Sequence, residues 1–75
     1  MSLANDIKDR RKKSKLTQSE LSQKTGISQG ALSRFESGEI TFSPPSLERV
    51  MVALGVGERT RQRWILDWFQ EQIQD

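Results

Sequence analysis

The stretch TQSELSQKTGISQGALSRFESG, which begins at Thr17, carries start and stop signals for two short helices in close succession. It opens with the capping box T-x-x-E, in which each side chain satisfies the other residue's free backbone amide. Gly26 suits the left-handed end of a helix, and Ser28 is a good cap for the next one. We therefore predict helices over about 18–24 and 29–37, separated by a short turn.

The rest of the sequence shows helical spacing and no strand-like alternation. Leu3, Ile7 and Arg11 share one stripe of a first helix. A fourth helix is expected over about 45–54, because proline is tolerated where a helix begins and glycines follow its end. A fifth runs from about 58 to 74. The prediction is an all-α fold with five helices around one core.

Length and composition exclude most enzyme chemistry. With 75 residues the chain forms at most one domain, residues 1–75. It has no cysteine and no histidine, so disulfides, thiolate metal sites and the usual neutral-pH acid/base group are absent. We expect no enzyme activity, no metal and no cofactor. No apolar run approaches the roughly 20 residues of a membrane span, so a soluble cytoplasmic protein without a membrane partner is expected.

The positive charge is concentrated near the N-terminus. Residues 8–15, KDRRKKSK, contain six cations and one anion, a local balance of +5 in a chain whose net charge is +2. Such a cluster is either an electrostatic footprint for phosphate or a solvated helix face, and charge alone does not separate the two interpretations.

Two short helices joined by a glycine-containing turn form the sequence pattern of a helix-turn-helix, whose second helix lies in the DNA major groove. The blocks LTQ-x-EL, GIS, E-x-G and PSL…ALGV, in this order, resemble the phage repressor/Cro family of DNA-binding domains, also called the xenobiotic-response-element type. The match covers about residues 5–57. It implies a five-helix, lambda-repressor-like domain with its helix-turn-helix over about 17–37 and an additional C-terminal helix over about 58–74.

The resemblance implies that the start and outer face of the third helix meet base edges, which here are Gln29, Gly30, Ser33 and Arg34. Their chemistry agrees, because Gln pairs bidentately with adenine, Arg with guanine, and Ser with either. At Gly30 the missing side chain lets the backbone approach a base, although the glycine alternatively only relaxes a tight turn.

The resemblance also implies a phosphate contact where Thr17 and Gln18 open the second helix, a place at which free N–H groups favour an anion. Ser28 is a further expected phosphate contact, and Ser37 is a weaker candidate. For Thr17 the alternative is capping alone, and both roles are compatible. The loop after the third helix contains Glu39 and no cation. Further phosphate affinity is therefore expected from any of four lysines that face the DNA: Lys12, Lys13, Lys15 and Lys24. For each of them the alternative is that the side chain is only solvated at the surface.

Two residues are expected to be structural. In the family, an arginine of the first helix pairs with the glutamate that closes the third, which implies an Arg11–Glu36 clamp; a phosphate contact by Arg11 is the alternative. Ser22 occupies a position that is usually apolar in the family, so its hydroxyl is expected to bond a backbone carbonyl within the helix.

The fifth helix has an apolar arc of about 200°, whereas one packing face needs little more than about 100°. We expect one edge, with Trp64, to close the core and the other to meet a partner, most simply a second copy. The resemblance implies a pseudo-palindromic operator, since relatives bind such sites as dimers. That interface is predicted at Ile65, Trp68, Phe69 and Ile73. Alternatively, the helix packs across two helices of its own chain.

These features predict a sequence-specific double-stranded DNA-binding protein, a bacterial or phage-type transcriptional regulator such as a repressor. The alternative is a protein-interaction module, such as an antitoxin or adaptor, that uses the apolar C-terminal helix.

Overall fold

The computed structural model describes residues 2–73, and within this range the regular secondary structure is entirely α-helical. The five helices are α1 (Leu3–Lys13), α2 (Gln18–Thr25), α3 (Gln29–Glu36), α4 (Pro44–Ala53) and α5 (Glu58–Ile73). The prediction of an all-α, five-helix fold is confirmed. The boundaries differ by one residue at several ends, and the predicted last residue of the fifth helix, residue 74, lies outside the described residues.

Local capping explains why α2 and α3 are separate helices. The Thr17 hydroxyl accepts from the Glu20 amide at 3.0 Å, and the Glu20 carboxylate accepts from the Thr17 amide at 2.9 Å. Gly26, with φ of 75°, ends α2 in the left-handed region that favours glycine. The Ser28 hydroxyl then accepts from the Ala31 amide at 3.1 Å and starts α3.

The turn between α2 and α3 is held by two side chains. The Ser22 hydroxyl donates to the carbonyl of Ile27, so the expectation of a bond within its own helix is wrong. The turn brings the Ile27 carbonyl within hydrogen-bonding distance of Ser22, so the bond ties α2 to the turn that follows it. Buried Thr25 donates to the Leu21 carbonyl at 2.8 Å and accepts from the Ile27 amide at 3.2 Å. The Thr25 hydroxyl is therefore buried with both its donor and its acceptor hydrogen-bonded.

One cluster of buried apolar side chains joins the helices. α3 packs between α1 and α2, α4 packs on α2, and α5 lies against α1 and α4. This arrangement covers the inner face of α3 and leaves its outer face uncovered within the described chain. The buried apolar residues are Leu3, Ile7, Leu21, Leu32, Phe35, Leu47, Val50, Met51, Leu54 and Val56.

Candidate nucleic-acid interface

The outer face of α3 is polar and exposed. Gln29, Ser33 and Arg34 are all exposed, and their side chains form no hydrogen bond or ion pair with another residue of the range 2–73. On the opposite face Leu32 and Phe35 are buried. The helix is thus anchored by its apolar side and presents donors and acceptors that its own fold does not use.

Gly30 lies in the first turn of this exposed face. Its φ is not in the left-handed region, and a Cβ built on it would meet no atom within 4 Å. The folded chain therefore has neither a conformational nor a steric need for glycine at this position. The idea that Gly30 relaxes a tight turn receives no support from this geometry.

The hydroxyls that cap α2 and α3 act as acceptors and still have an O–H group to donate. Thr17 and Ser28 are exposed, and each side-chain oxygen accepts one backbone amide. A hydroxyl has one donor besides its acceptor positions. Each O–H is therefore free to donate to an anion while the oxygen continues to cap its helix, so the two roles considered for Thr17 are compatible in space.

Gln18, expected to contact phosphate, is partly engaged inside the protein. Its Nε2 donates to Oε1 of Glu36 over 3.1 Å, and the side chain is half-buried. A primary amide has two N–H donors. One holds Gln18 against the end of α3, and the other remains to meet an acceptor outside. The sequence pattern contained no signal for this link, because the two residues are 18 positions apart.

Ser37, at the end of α3, is in a different situation. Its hydroxyl lies 3.0 Å from the Arg34 carbonyl and 3.1 Å from a carboxylate oxygen of Glu39. Both neighbours are acceptors that compete for its single proton, and the carboxylate repels a phosphate. The geometry is less favourable for a phosphate contact here than at Thr17 or Ser28.

Arg11 and Glu36 form a bidentate ion pair at the end of α3. Arg11 Nε donates to Glu36 Oε2 at 2.7 Å and Nη2 donates to Oε1 at 2.9 Å, with only 11% and 3% of the two side chains exposed. Arg11 Nη1 also donates to the Leu16 carbonyl at 2.8 Å. The pair joins α1 to the last residue of α3, and its burial disfavours the alternative of a phosphate contact by Arg11.

The two charges stabilise each other. Burial raises the pKa of Glu36, but hydrogen bonds from Arg11 and Gln18 outweigh it and hold that pKa below its ordinary value. The hydrogen bond with Glu36 in turn raises the pKa of Arg11. Both residues therefore remain charged through the neutral range.

The apolar arc of α5 is divided between core and surface. Trp64, Ile65 and Trp68 are half-buried and pack against the core, so α5 does lie across two helices of its own chain. Ile65 and Trp68, which were predicted at an interface between chains, therefore contact the core of their own chain and are only partly exposed. Phe69 and Ile73 are 55% and 66% exposed.

One residue was missing from the predicted interface. Leu66 is 64% exposed and shares a helical stripe, at i, i+3 and i+7, with Phe69 and Ile73. The helical angle of Leu66 puts it on the apolar arc of α5, but the angle does not show which edge of the arc faces solvent. We refer to Leu66, Phe69 and Ile73 as the α5 stripe.

Comparison with known proteins identifies the class. A helix-turn-helix family model, of the Cro/C1 type, matches residues 7–60, more than half of the chain. The chain belongs to this family, and the suspected resemblance is confirmed. Its function is accordingly of the DNA-binding, transcription-regulator type.

No match was found among curated proteins or among solved structures. None of the helices in the described part of the chain is long and apolar enough to cross a membrane.

Proposed function

We propose that this protein binds a specific double-stranded DNA sequence by placing the outer face of α3 in the major groove. The observation that carries the proposal is the division of α3 into two faces. One face is buried, whereas the other exposes Gln29, Ser33 and Arg34, whose side chains have no partner within residues 2–73. Arg and Gln each match a purine edge bidentately, and the serine hydroxyl donates or accepts. Gly30 adds a place where the helix backbone approaches a base closely.

Phosphates flank this contact in the proposed complex. Thr17 and Ser28 donate through their free hydroxyl protons, and Gln18 donates through its second amide hydrogen. The contact at Gln18 is positioned by Glu36, so the register on the DNA backbone depends on the buried ion pair. Ser37 contributes less, because Glu39 competes for its proton.

The proposed DNA-binding form is a homodimer on a pseudo-palindromic operator, joined through the α5 stripe. In such a dimer the exposed side chains of Leu66, Phe69 and Ile73 are removed from water by the same three side chains of the second copy. Two-fold symmetry also matches half-sites about 34–36 Å apart.

The α5 stripe also supports the second candidate, a protein-interaction module in which α5 seats a different protein. DNA binding through α3 and partner binding through α5 use separate surfaces. A regulator that binds no preferred duplex but forms a salt-insensitive complex through α5 would favour this alternative.

Site selection from random duplexes, followed by variants of Arg34, tests the main proposal. Arg34→Ala is expected to cost about 1–3 kcal/mol on the preferred site, roughly 5- to 150-fold in affinity, and to relax the preference at one base pair. The matched variant Arg34→Lys keeps the charge but loses the bidentate geometry. It should bind random DNA as the parent does and still lose discrimination.

Equal losses on preferred and random duplexes in Arg34→Ala, with full recovery in Arg34→Lys, would make Arg34 a phosphate contact instead. Failure of the parent protein to select any duplex would overturn the proposed function itself.

A further inference from the structure

Lys15 has an unusual backbone conformation. Its φ is 59°, and it is the only non-glycine residue with positive φ in the described part of the chain. The other positions with positive φ are Gly26, Gly38 and Gly55. A residue with a Cβ adopts this left-handed conformation at an energetic cost that glycine does not bear.

The path of the chain imposes this conformation. The Lys15 amide donates to the Lys12 carbonyl at 3.0 Å, and the Leu16 amide donates to the Arg11 carbonyl at 3.2 Å. These two bonds form a Schellman motif that ends α1 and directs the chain into α2, and its left-handed position usually carries glycine. The fold thus requires the conformation but does not require a lysine.

The same position lies beside the proposed interface. Arg11 donates both to the Leu16 carbonyl and to Glu36, and Gln18 donates to Glu36 as well. These hydrogen bonds hold the end of α1, the start of α2 and the end of α3 together. Exposed Lys15 directly precedes Leu16, one of the bonded residues. Lys15 forms no ion pair with another residue of the range 2–73.

The charge around the site also favours an anion at Lys15. Lys15 ends the run of residues 8–15 whose local balance is +5, whereas the loop after α3 supplies Glu39 and no cation. Lys12 and Lys13 lie in the last turn of α1, where any cation is favourable to the helix dipole and the conformation is ordinary. Of these three lysines, Lys15 alone has a backbone conformation that glycine would adopt at lower energetic cost.

We propose that Lys15 binds a phosphate of the DNA backbone next to the segment that α3 reads, and that this contact accounts for a lysine in a glycine-type conformation. The inference rests on the proposed function. Lys15 acts as a sequence-independent contact that holds the end of α1 on the DNA backbone.

The substitution Lys15→Gly separates binding from folding, because the two effects have opposite signs. The variant should melt at a higher temperature than the parent, while binding the preferred and a random duplex more weakly by a similar factor. Loss of one phosphate contact should also reduce the slope of log affinity against log salt by roughly 1. Lys15→Asn, which also tolerates the left-handed region, should show the same loss of binding and slope.

Lys15→Arg is the matched control, since it keeps both the charge and the strained conformation, and it should retain the parent's salt slope. A Lys15→Gly protein with unchanged affinity and slope would overturn the inference, as would a loss confined to the preferred duplex. In either case the parent still selects a DNA site, so the proposed function stands. Absence of any DNA binding by the parent would remove both proposals.

Discussion

Trp68 and Thr41, 27 positions apart in the sequence, are joined by a hydrogen bond in which the indole N–H donates to the threonine hydroxyl at 2.8 Å. The next residue, Phe42, stacks on Phe35 of α3 with ring centroids 4.6 Å apart. α5 thereby holds the loop that follows α3 against the body of the protein. The helix proposed to join two chains is thus physically connected to the helix proposed to read DNA.

Removing this bond should loosen the loop. Trp68→Phe keeps most of the apolar surface and loses the donor, so we expect a loss of about 1 kcal/mol in the free energy of unfolding. Hydrogen exchange should become faster at the amides of residues 39–42. Thr41→Val removes the acceptor and should produce the same local change. Unaltered exchange in both variants would mean that the loop is held by the Phe42 stacking alone.

The buried ion pair makes the strongest stability prediction. Glu36→Ala leaves the Arg11 guanidinium buried without its carboxylate, and breaking a buried pair in this way typically costs about 3–5 kcal/mol. Glu36→Gln keeps an acceptor oxygen for Arg11 and should lose less. Urea denaturation of the three proteins measures both effects. A parent-like midpoint for Glu36→Ala would show that the pair does not stabilise the position of α3.

Acid should weaken the same contact. The pKa of Glu36 in the folded state lies below its ordinary value of 4.5. A carboxylate with a depressed folded-state pKa contributes stability that is fully present above the unfolded pKa and is lost as pH falls through the folded pKa. The stability difference between the parent and Glu36→Gln should therefore be constant near neutral pH and shrink below about pH 4.5. A difference that stays the same at low pH would contradict the assignment.

Gly30→Ala should affect folding and binding in opposite directions. An alanine fits sterically, since a Cβ meets no atom within 4 Å, and it removes the entropic cost of a helical glycine. The fold should gain up to about 1 kcal/mol. DNA affinity should fall if the backbone closely approaches a base at this position. A more stable variant with undiminished affinity would show that no base lies against Gly30.

A pair of substitutions on α5 tests the proposed homodimer. Leu66→Glu with Phe69→Glu places carboxylates in the stripe, and burying them against a second apolar stripe is costly enough to prevent association. The variant should be monomeric by sedimentation, retain its helical circular dichroism and bind paired half-sites weakly. Gln70→Glu with Gln72→Glu, at exposed positions outside the α5 stripe, adds the same two negative charges and is the control. A monomeric parent at high micromolar concentration would instead favour a different occupant for α5.

Local sequence signals were sufficient to predict the helices. The T-x-x-E box, Gly26 and Ser28 act on backbone groups no more than a few residues away, so their effect can be read without knowing the rest of the fold. The division of α3 into a buried and an exposed face follows in the same way from the spacing of Leu32 and Phe35. The Arg11–Glu36 pair was expected only through the family resemblance, since nothing local connects residues 25 positions apart.

The tertiary structure decided which polar and apolar groups remain available to partners. Packing against α1 and α4 places Ile65 and Trp68 on the core and leaves Leu66 in solvent, a choice that helical angles alone do not make. The approach of α3 to α2 commits one amide hydrogen of Gln18 to Glu36. The direction in which α1 leads into α2 gives Lys15 its left-handed backbone. Helix formation depends on neighbours in sequence, whereas these outcomes depend on how distant helices share one small core.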